Sequence, residues 1–206
     1  QALPHSGHGE ILHGSGRGVF PSMEINERKL RGVFEITLQP HYDKRGFFMR
    51  VFDDNILSQD GIKNTWVQEN HSYSKGKNII RGLHFQRAPY TEAKMVRCIR
   101  GAVMDVFVDL RSESDTFGMW DSIELTSENK KMILIPRVFA HGYRTLSEES
   151  EVLYKVDNTY KPDHENGIMW NDPEIDIDWG TSNPILSEKD QHNLSMKQFI
   201  DQKIIL

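Results

Sequence analysis

The stretch Ala93-Lys-Met-Val-Arg-Cys-Ile-Arg-Gly-Ala-Val-Met-Asp-Val-Phe-Val-Asp-Leu110 decides how this chain folds. Two short apolar runs, Ala93–Ile99 and Ala102–Leu110, are split by Arg100-Gly101, and neither sustains a helical repeat. Runs of this length bounded by turn residues read as strands. Outward from them the same pattern recurs at Val33–Leu38, Phe47–Phe52, Thr65–His71, Ile79–Phe85, Trp120–Leu125, Lys131–Ile135, Ala140–Leu146 and Glu151–Asp157. Ser74-Lys-Gly-Lys-Asn78 and Ser147-Glu-Glu-Ser150 supply turn residues between neighbours. Short helices are expected at Asp54–Gln59 and after Leu186, where Ser187 and Asp190 have the spacing of a capping box. The fold class is therefore all-β, closing as a jelly roll or barrel with a pocket at its mouth and short peripheral helices.

Composition narrows the function. With 206 residues, 37% hydrophobic and 27% charged, the chain can bury one good core. A formal charge of −5 and scattered Lys and Arg residues provide no basic field for a nucleic-acid backbone. The lone cysteine, Cys98, lies in an apolar run, which argues against a disulfide framework and for a reducing compartment, the cytoplasm. No run approaches the roughly 18 apolar residues of a membrane span. The first 22 residues are rich in Gly, His and Ser and precede Met23, so they are set apart as a leader or disordered arm ahead of one domain over 23–206.

The chemistry turns on Arg81-Gly-Leu-His-Phe-Gln86. His84 could be a metal ligand, a catalytic base or a core histidine satisfied by a carbonyl. In metal-binding barrels a second histidine commonly stands two residues later, on the same strand face, and here that place is Gln86. Ten residues beyond His84 stands Lys94, a cation that repels a metal. No metal and no cofactor is expected.

RGLHFQ and the segments around it resemble the dTDP-4-dehydrorhamnose 3,5-epimerase family over about residues 31 to 190. The likeness includes Asp43-Lys-Arg-Gly-Phe-Phe48, Gln68-Glu-Asn-His-Ser72, Lys94-Met-Val-Arg-Cys-Ile-Arg-Gly101 and Asp105-Val-Phe-Val-Asp-Leu-Arg111. It continues through Ile135-Pro-Arg-Val-Phe-Ala-His-Gly142, Leu153-Tyr-Lys155, Glu165-Asn-Gly-Ile-Met-Trp170, Asn171-Asp-Pro173 and Leu186-Ser-Glu-Lys-Asp190. The resemblance implies a metal-free cupin jelly roll, a homodimer whose N-terminal strands cross to the partner, and epimerisation at carbon 3, carbon 5 or both of a nucleotide-linked 4-keto sugar.

Such an epimerisation removes an α-proton, stabilises an enolate and returns a proton to the opposite face. By resemblance His84 is the base, Asp190 the carboxylate paired with it, Tyr154 the acid across the sugar, and Lys94 the cation near the carbon-4 oxygen. Read without the resemblance, Asp190 is a helix-terminal charge, Tyr154 a core aromatic and Lys94 a snorkelling edge lysine. Arg81 matches a contact to the diphosphate, a task suited to a bidentate guanidinium; as a surface residue it would form an ion pair of little weight. His141, Gln68 and Asn70 match substrate-binding positions, the last two alternating on one strand face. Arg45 and Phe48 match residues that approach the nucleotide, from either subunit.

Two positions depart from the family pattern. Arg50 stands where a glutamate is common, and Asn158-Thr-Tyr160 replaces paired tyrosines, leaving Tyr160 alone to stack on the base. An arginine cannot accept from an imide N–H, so a GDP-linked 4-keto heptose or 6-deoxysugar is the alternative substrate. A sugar-nucleotide-binding cupin without activity is the rival of another class. Base, partner carboxylate and acid together argue against it.

Overall fold

A computed structural model describes residues 23–206; the reading of residues 1–22 lies outside them. Thirteen strands dominate: β1 Met23–Glu27, β2 Phe34–Leu38, β3 His41–Asp43, β4 Gly46–Phe48, β5 Gln68–Lys75, β6 Ile80–Gln86, β7 Lys94–Arg100, β8 Ala102–Asp109, β9 Trp120–Thr126, β10 Lys131–Ile135, β11 Phe139–Thr145, β12 Glu149–Val156 and β13 Glu165–Gly167. Helices are α1 Asp54–Gln59 and α2 Met196–Asp201, with single 3₁₀ turns at Pro162–His164 and Asp190–His192. The strands form a six-stranded sheet, β1-β2-β10-β7-β12-β5, a five-stranded sheet, β13-β6-β11-β8-β9, and the separate hairpin β3-β4. The jelly roll expected from the strand pattern is what forms.

Strand alternation sorts the side chains into layers. Val96, Cys98, Ile133 and Val152 of the first sheet meet Val103, Phe107, Ile123 and Tyr143 of the second in the central core. The opposite face of the five-stranded sheet, with Leu83, Phe85, Val106 and Val108, is covered by Trp179 and by Met196 and Phe199 of α2. The outer face of the six-stranded sheet is covered by Leu57 and Ile62, from α1 and the loop behind it.

The opening stretch makes the corner between the sheets. β7 and β8 belong to different sheets, so the chain reverses in one residue, Gly101, at φ +70°. A Cβ there would lie 2.1 Å from the Glu149 carbonyl oxygen. Only glycine supplies both that backbone conformation and that closeness.

At the far end of β8, Asp109 is fully buried and accepts hydrogen bonds from Arg111, Ser114 and Thr116. Burial alone raises this carboxyl, but the donors more than reverse it, to about 2. Its contribution to stability is therefore complete above pH ~4 and is lost as pH falls through about 2. Asp109→Asn is expected to lower the unfolding free energy by about 2–3 kcal/mol at neutral pH. Denaturant titrations of both proteins at pH 7 and pH 3 check this, with the difference shrinking at the lower pH.

Three expectations need correction. Phe47–Phe52 is no continuous strand: β4 ends at Phe48, and Asp53 caps α1 by accepting from the backbone N–H of Asn55 and Ile56, so residues 49–53 lead into a helix. β5 runs to Lys75 because all its residues pair with β12, from Gln68↔Val156 to Lys75↔Glu149. The capping box is formed by Ser195 and Gln198 at the start of α2. Ser187 accepts from the N–H of Asp190, but the Asp190 carboxylate turns inward instead of completing a box. β1, β3 and β13 are additional to the expected strands; all three are short and largely polar.

Candidate active site

A cavity of about 710 Å³ opens between the two sheets, a size that suits a small-molecule ligand. Period-two alternation aims its lining inward: Gln68, Asn70 and Ser72 from β5, His84 and Gln86 from β6, Lys94 from β7, His141 and Tyr143 from β11, and Tyr154 from β12. Arg81, Tyr160 and Asp190 complete the part of the site expected from sequence.

His84 and His141 face each other as register partners on β6 and β11. Two glycines let those strands approach: a Cβ on Gly142 would lie 2.6 Å from the Arg81 carbonyl oxygen, and one on Gly82 2.6 Å from the Gly142 Cα. Gly142→Ala is expected to push the strands apart, destabilising the fold by about 3 kcal/mol and lowering turnover at least tenfold by displacing both histidines. Thermal unfolding together with turnover at a temperature where the variant remains folded measures the two effects.

Each histidine has a carboxylate behind it. His84 Nε2 donates to Asp190 Oδ1 at 2.6 Å, across 106 positions of sequence. Burial would raise the Asp190 carboxyl, but the hydrogen bond and charge of His84, with help from the Gly82 N–H and Ser187, hold it below the usual range. An ionised Asp190 keeps the ring proton on Nε2 and leaves the lone pair on Nδ1. The ring lines the cavity and pairs with a carboxylate where the core-histidine alternative expected a backbone carbonyl. His141 Nε2 donates to Asp105 Oδ2 at 2.9 Å. Asp105 is fully buried, and burial raises its carboxyl against the pull of His141 and Lys94.

The opposite wall belongs to the six-stranded sheet. Tyr154 is held against the central core, and its phenol is raised by burial and then by the negative charge of Glu92. It therefore keeps its proton through neutral pH. Lys94 is 8% exposed on a central strand, so it is no snorkelling edge lysine, and its Nζ lies 3.3 Å from Glu92 Oε1. At the rim Arg81 donates to Ser74 Oγ and the Tyr73 carbonyl. The Tyr160 hydroxyl donates to Glu165 Oε2 at 2.7 Å, which pushes that phenol up to about 12. Gln68 Oε1 accepts from the Tyr160 N–H.

Arg45 and Phe48 are not brought to this cavity. They lie on the exposed β3–β4 hairpin, with Phe48 70% exposed and Arg45 paired to Asp43. The hairpin, two strands of three residues outside both sheets, contributes no residue to the lining of its own chain's cavity. Arg50 also points away, toward Asp53 at 2.8 Å, and Asn158 is tied to the Pro89 and Thr91 carbonyls. Among the described residues no cluster of three or more His, Cys, Asp or Glu side chains is arranged to hold a metal. Sequence reasoning missed Glu92, Glu165, Lys189 and the role of Asp105. Asp105 was findable, since alternation with Val103 and Phe107 puts a carboxylate at an interior register; Glu92 sits in a loop without periodicity.

A family model for dTDP-4-dehydrorhamnose 3,5-epimerase matches residues 27–198. The dTDP-4-dehydrorhamnose 3,5-epimerase of Escherichia coli K12 is 46% identical over 185 residues, 89% of this chain and 100% of that protein. The Salmonella typhimurium protein of the same name is 51% identical over 150 residues, 72% of this chain and 81% of that one. Among solved structures, the dTDP-6-deoxy-D-glucose-3,5-epimerase of Legionella pneumophila in complex with dTDP-4-keto-L-rhamnose superposes with a TM-score of 0.84 at 34% identity, covering 89% of this chain and 97% of that one.

Proposed function

The chain belongs to the dTDP-4-dehydrorhamnose 3,5-epimerase family, and from that premise we propose that it inverts carbons 3 and 5 of a dTDP-linked 4-keto-6-deoxy sugar. The observation that carries the reading is the placement of base and acid on opposing sheets of one cavity: His84 with Asp190 on one side, Tyr154 on the other. Inversion needs proton removal from one face and delivery to the other, and two walls supply that. His84 Nδ1 takes the α-proton, and ionised Asp190 stabilises the imidazolium that results. The negative charge moves to the carbon-4 oxygen, where the Lys94 ammonium, 8% exposed, meets it. Tyr154 returns a proton to the opposite face.

Arg81 at the rim suits the diphosphate, and Tyr160 with Gln68 and Asn70 forms the wall toward the nucleotide. The GDP-linked alternative rested on Arg50 and on residues 158–160, but Asn158 is tied to the Pro89 and Thr91 carbonyls, and the relatives above carry dTDP in their names, which favours the dTDP reading. We read 23–206 as one catalytic domain, in keeping with the match over 27–198. No helix among the described residues is long and apolar enough to cross a membrane. A cytoplasmic setting is part of the reading, supported by Cys98, a buried free thiol raised to about 11.

The reading includes a homodimer, supported by the exposed aromatic side chains of the β3–β4 hairpin, where Tyr42 is 69% and Phe48 70% exposed. A partner's cavity would receive Arg45 and Phe48. Light scattering is expected to give twice the chain mass, and a monomer would remove this part of the reading.

The deciding experiment is proton NMR in D2O with dTDP-4-keto-6-deoxyglucose and, in parallel, GDP-linked 4-keto-6-deoxymannose. Deuterium entering carbons 3 and 5 of the dTDP sugar is the expected result. Exchange with the GDP sugar alone would overturn the nucleotide assignment, and none with either would leave only a binding protein.

A further inference from the structure

Glu92 belongs to none of the roles above, yet it lines the cavity with a side chain only 9% exposed. A carboxylate so enclosed requires partners for both oxygens. Oε1 lies 3.3 Å from Lys94 Nζ, and Oε2 accepts from Gln86 Nε2 at 2.9 Å. Gln86 itself is 3% exposed and held at both ends of its amide: the two hydrogens of Nε2 are shared among Glu92 Oε2 and the Tyr90 and Thr159 carbonyls, and its Oε1 accepts from the Lys161 N–H at 2.6 Å. The glutamine at the position where metal-binding barrels carry a histidine is thus a strut fixed to two loops, and the carboxylate is fixed to the strut.

Resting on the assignment of Lys94 to the carbon-4 oxygen, we propose that Glu92 is the positioning residue of that ammonium, holding Lys94 at the cavity wall with Gln86 as the rigid support behind it. A lysine side chain has four rotatable bonds, and a free ammonium in a cavity would sample many placements. Electrostatic stabilisation of an enolate depends on a charge already in place when the oxyanion forms. A buried ammonium also needs a counter-charge, and Glu92 supplies one from a fixed point. The same carboxylate lies close enough to Tyr154 to favour its protonated form, which links the cation and the acid, on neighbouring strands of one wall, through one side chain.

Glu92→Gln keeps the shape and removes the charge. Turnover of the dTDP sugar is expected to fall about 30-fold in kcat while KM changes less than about threefold, because the interaction lost acts on the transition state. The effect passes through Lys94, so the same substitution added to Lys94→Ala is expected to lower kcat further by less than about threefold. Glu92→Asp, which keeps the charge, restores part of the loss. If Lys94→Ala cripples the enzyme and Glu92→Gln multiplies onto it in full, Glu92 does not act through Lys94 and the proposal is wrong. An unchanged kcat in Glu92→Gln beside a crippled Lys94→Ala rejects it equally. If Lys94→Ala turns over normally, the assignment of Lys94 fails first and takes this inference with it. Should Glu92→Gln not fold by circular dichroism, Glu92→Asp carries the test: a severalfold loss of kcat at constant KM is expected, and a wild-type kcat or a shift confined to KM overturns the proposal.

Discussion

His84→Asn slows deuterium entry at carbons 3 and 5 of the dTDP sugar by about a thousandfold, the expected worth of a general base in this position. The asparagine amide nitrogen stands near the Nδ1 position and falls short of the Nε2 that donates to Asp190 Oδ1, so the carboxylate keeps the Gly82 N–H but loses its ring partner, and some stability is lost with it. The amide has no nitrogen lone pair with which to accept a proton. Nucleotide affinity should therefore change little, because the diphosphate and base contacts lie at the rim, and calorimetry with dTDP measures that separately. Exchange within tenfold of wild type would remove His84 from the chemistry. Failure to fold would mark the Asp190 pair as structural.

Tyr154→Phe separates exchange from inversion. The phenol is held protonated by burial and by the charge of Glu92, so its removal takes away the acid of one wall and leaves the base of the other intact. Proton abstraction by His84 continues, and deuterium returns from the same face. The expected result is exchange within about tenfold of wild type but net inversion slowed by about two to three orders of magnitude. Following deuterium content and product stereochemistry in one NMR time course reads both. Equal losses of exchange and inversion would mean that Tyr154 shapes the cavity and delivers no proton.

Much of this arrangement was legible in the chain. Short apolar runs bounded by turn residues identified the strands, and alternation put Gln68 and Asn70 on one face, because side-chain direction along a strand is a local property with period two. Boundaries were less legible: β5 extends to Lys75 through its pairing with β12, and β4 stops where Asp53 begins to cap a helix. Both are decided by partners that the local pattern does not contain. Ser187 and Asp190 illustrate a sharper case, in which a correct helix-start spacing yielded only a 3₁₀ turn because the aspartate found a better partner in His84.

By itself, then, the sequence determined the all-β class, the turn at Gly101, the shared face of Gln68 and Asn70, and, through its motifs, the family with the roles that membership implies for His84, Lys94, Tyr154 and Asp190. Tertiary structure alone decided that Asp105 stands behind His141, that Glu92 bridges Gln86 and Lys94, and that Arg45 and Phe48 stand apart from the cavity of their own chain. The physical reason is range. Backbone preference and strand alternation act between near neighbours, whereas these carboxylates are placed by loops and sheet closure, and no local signal encodes a contact formed only when two sheets meet.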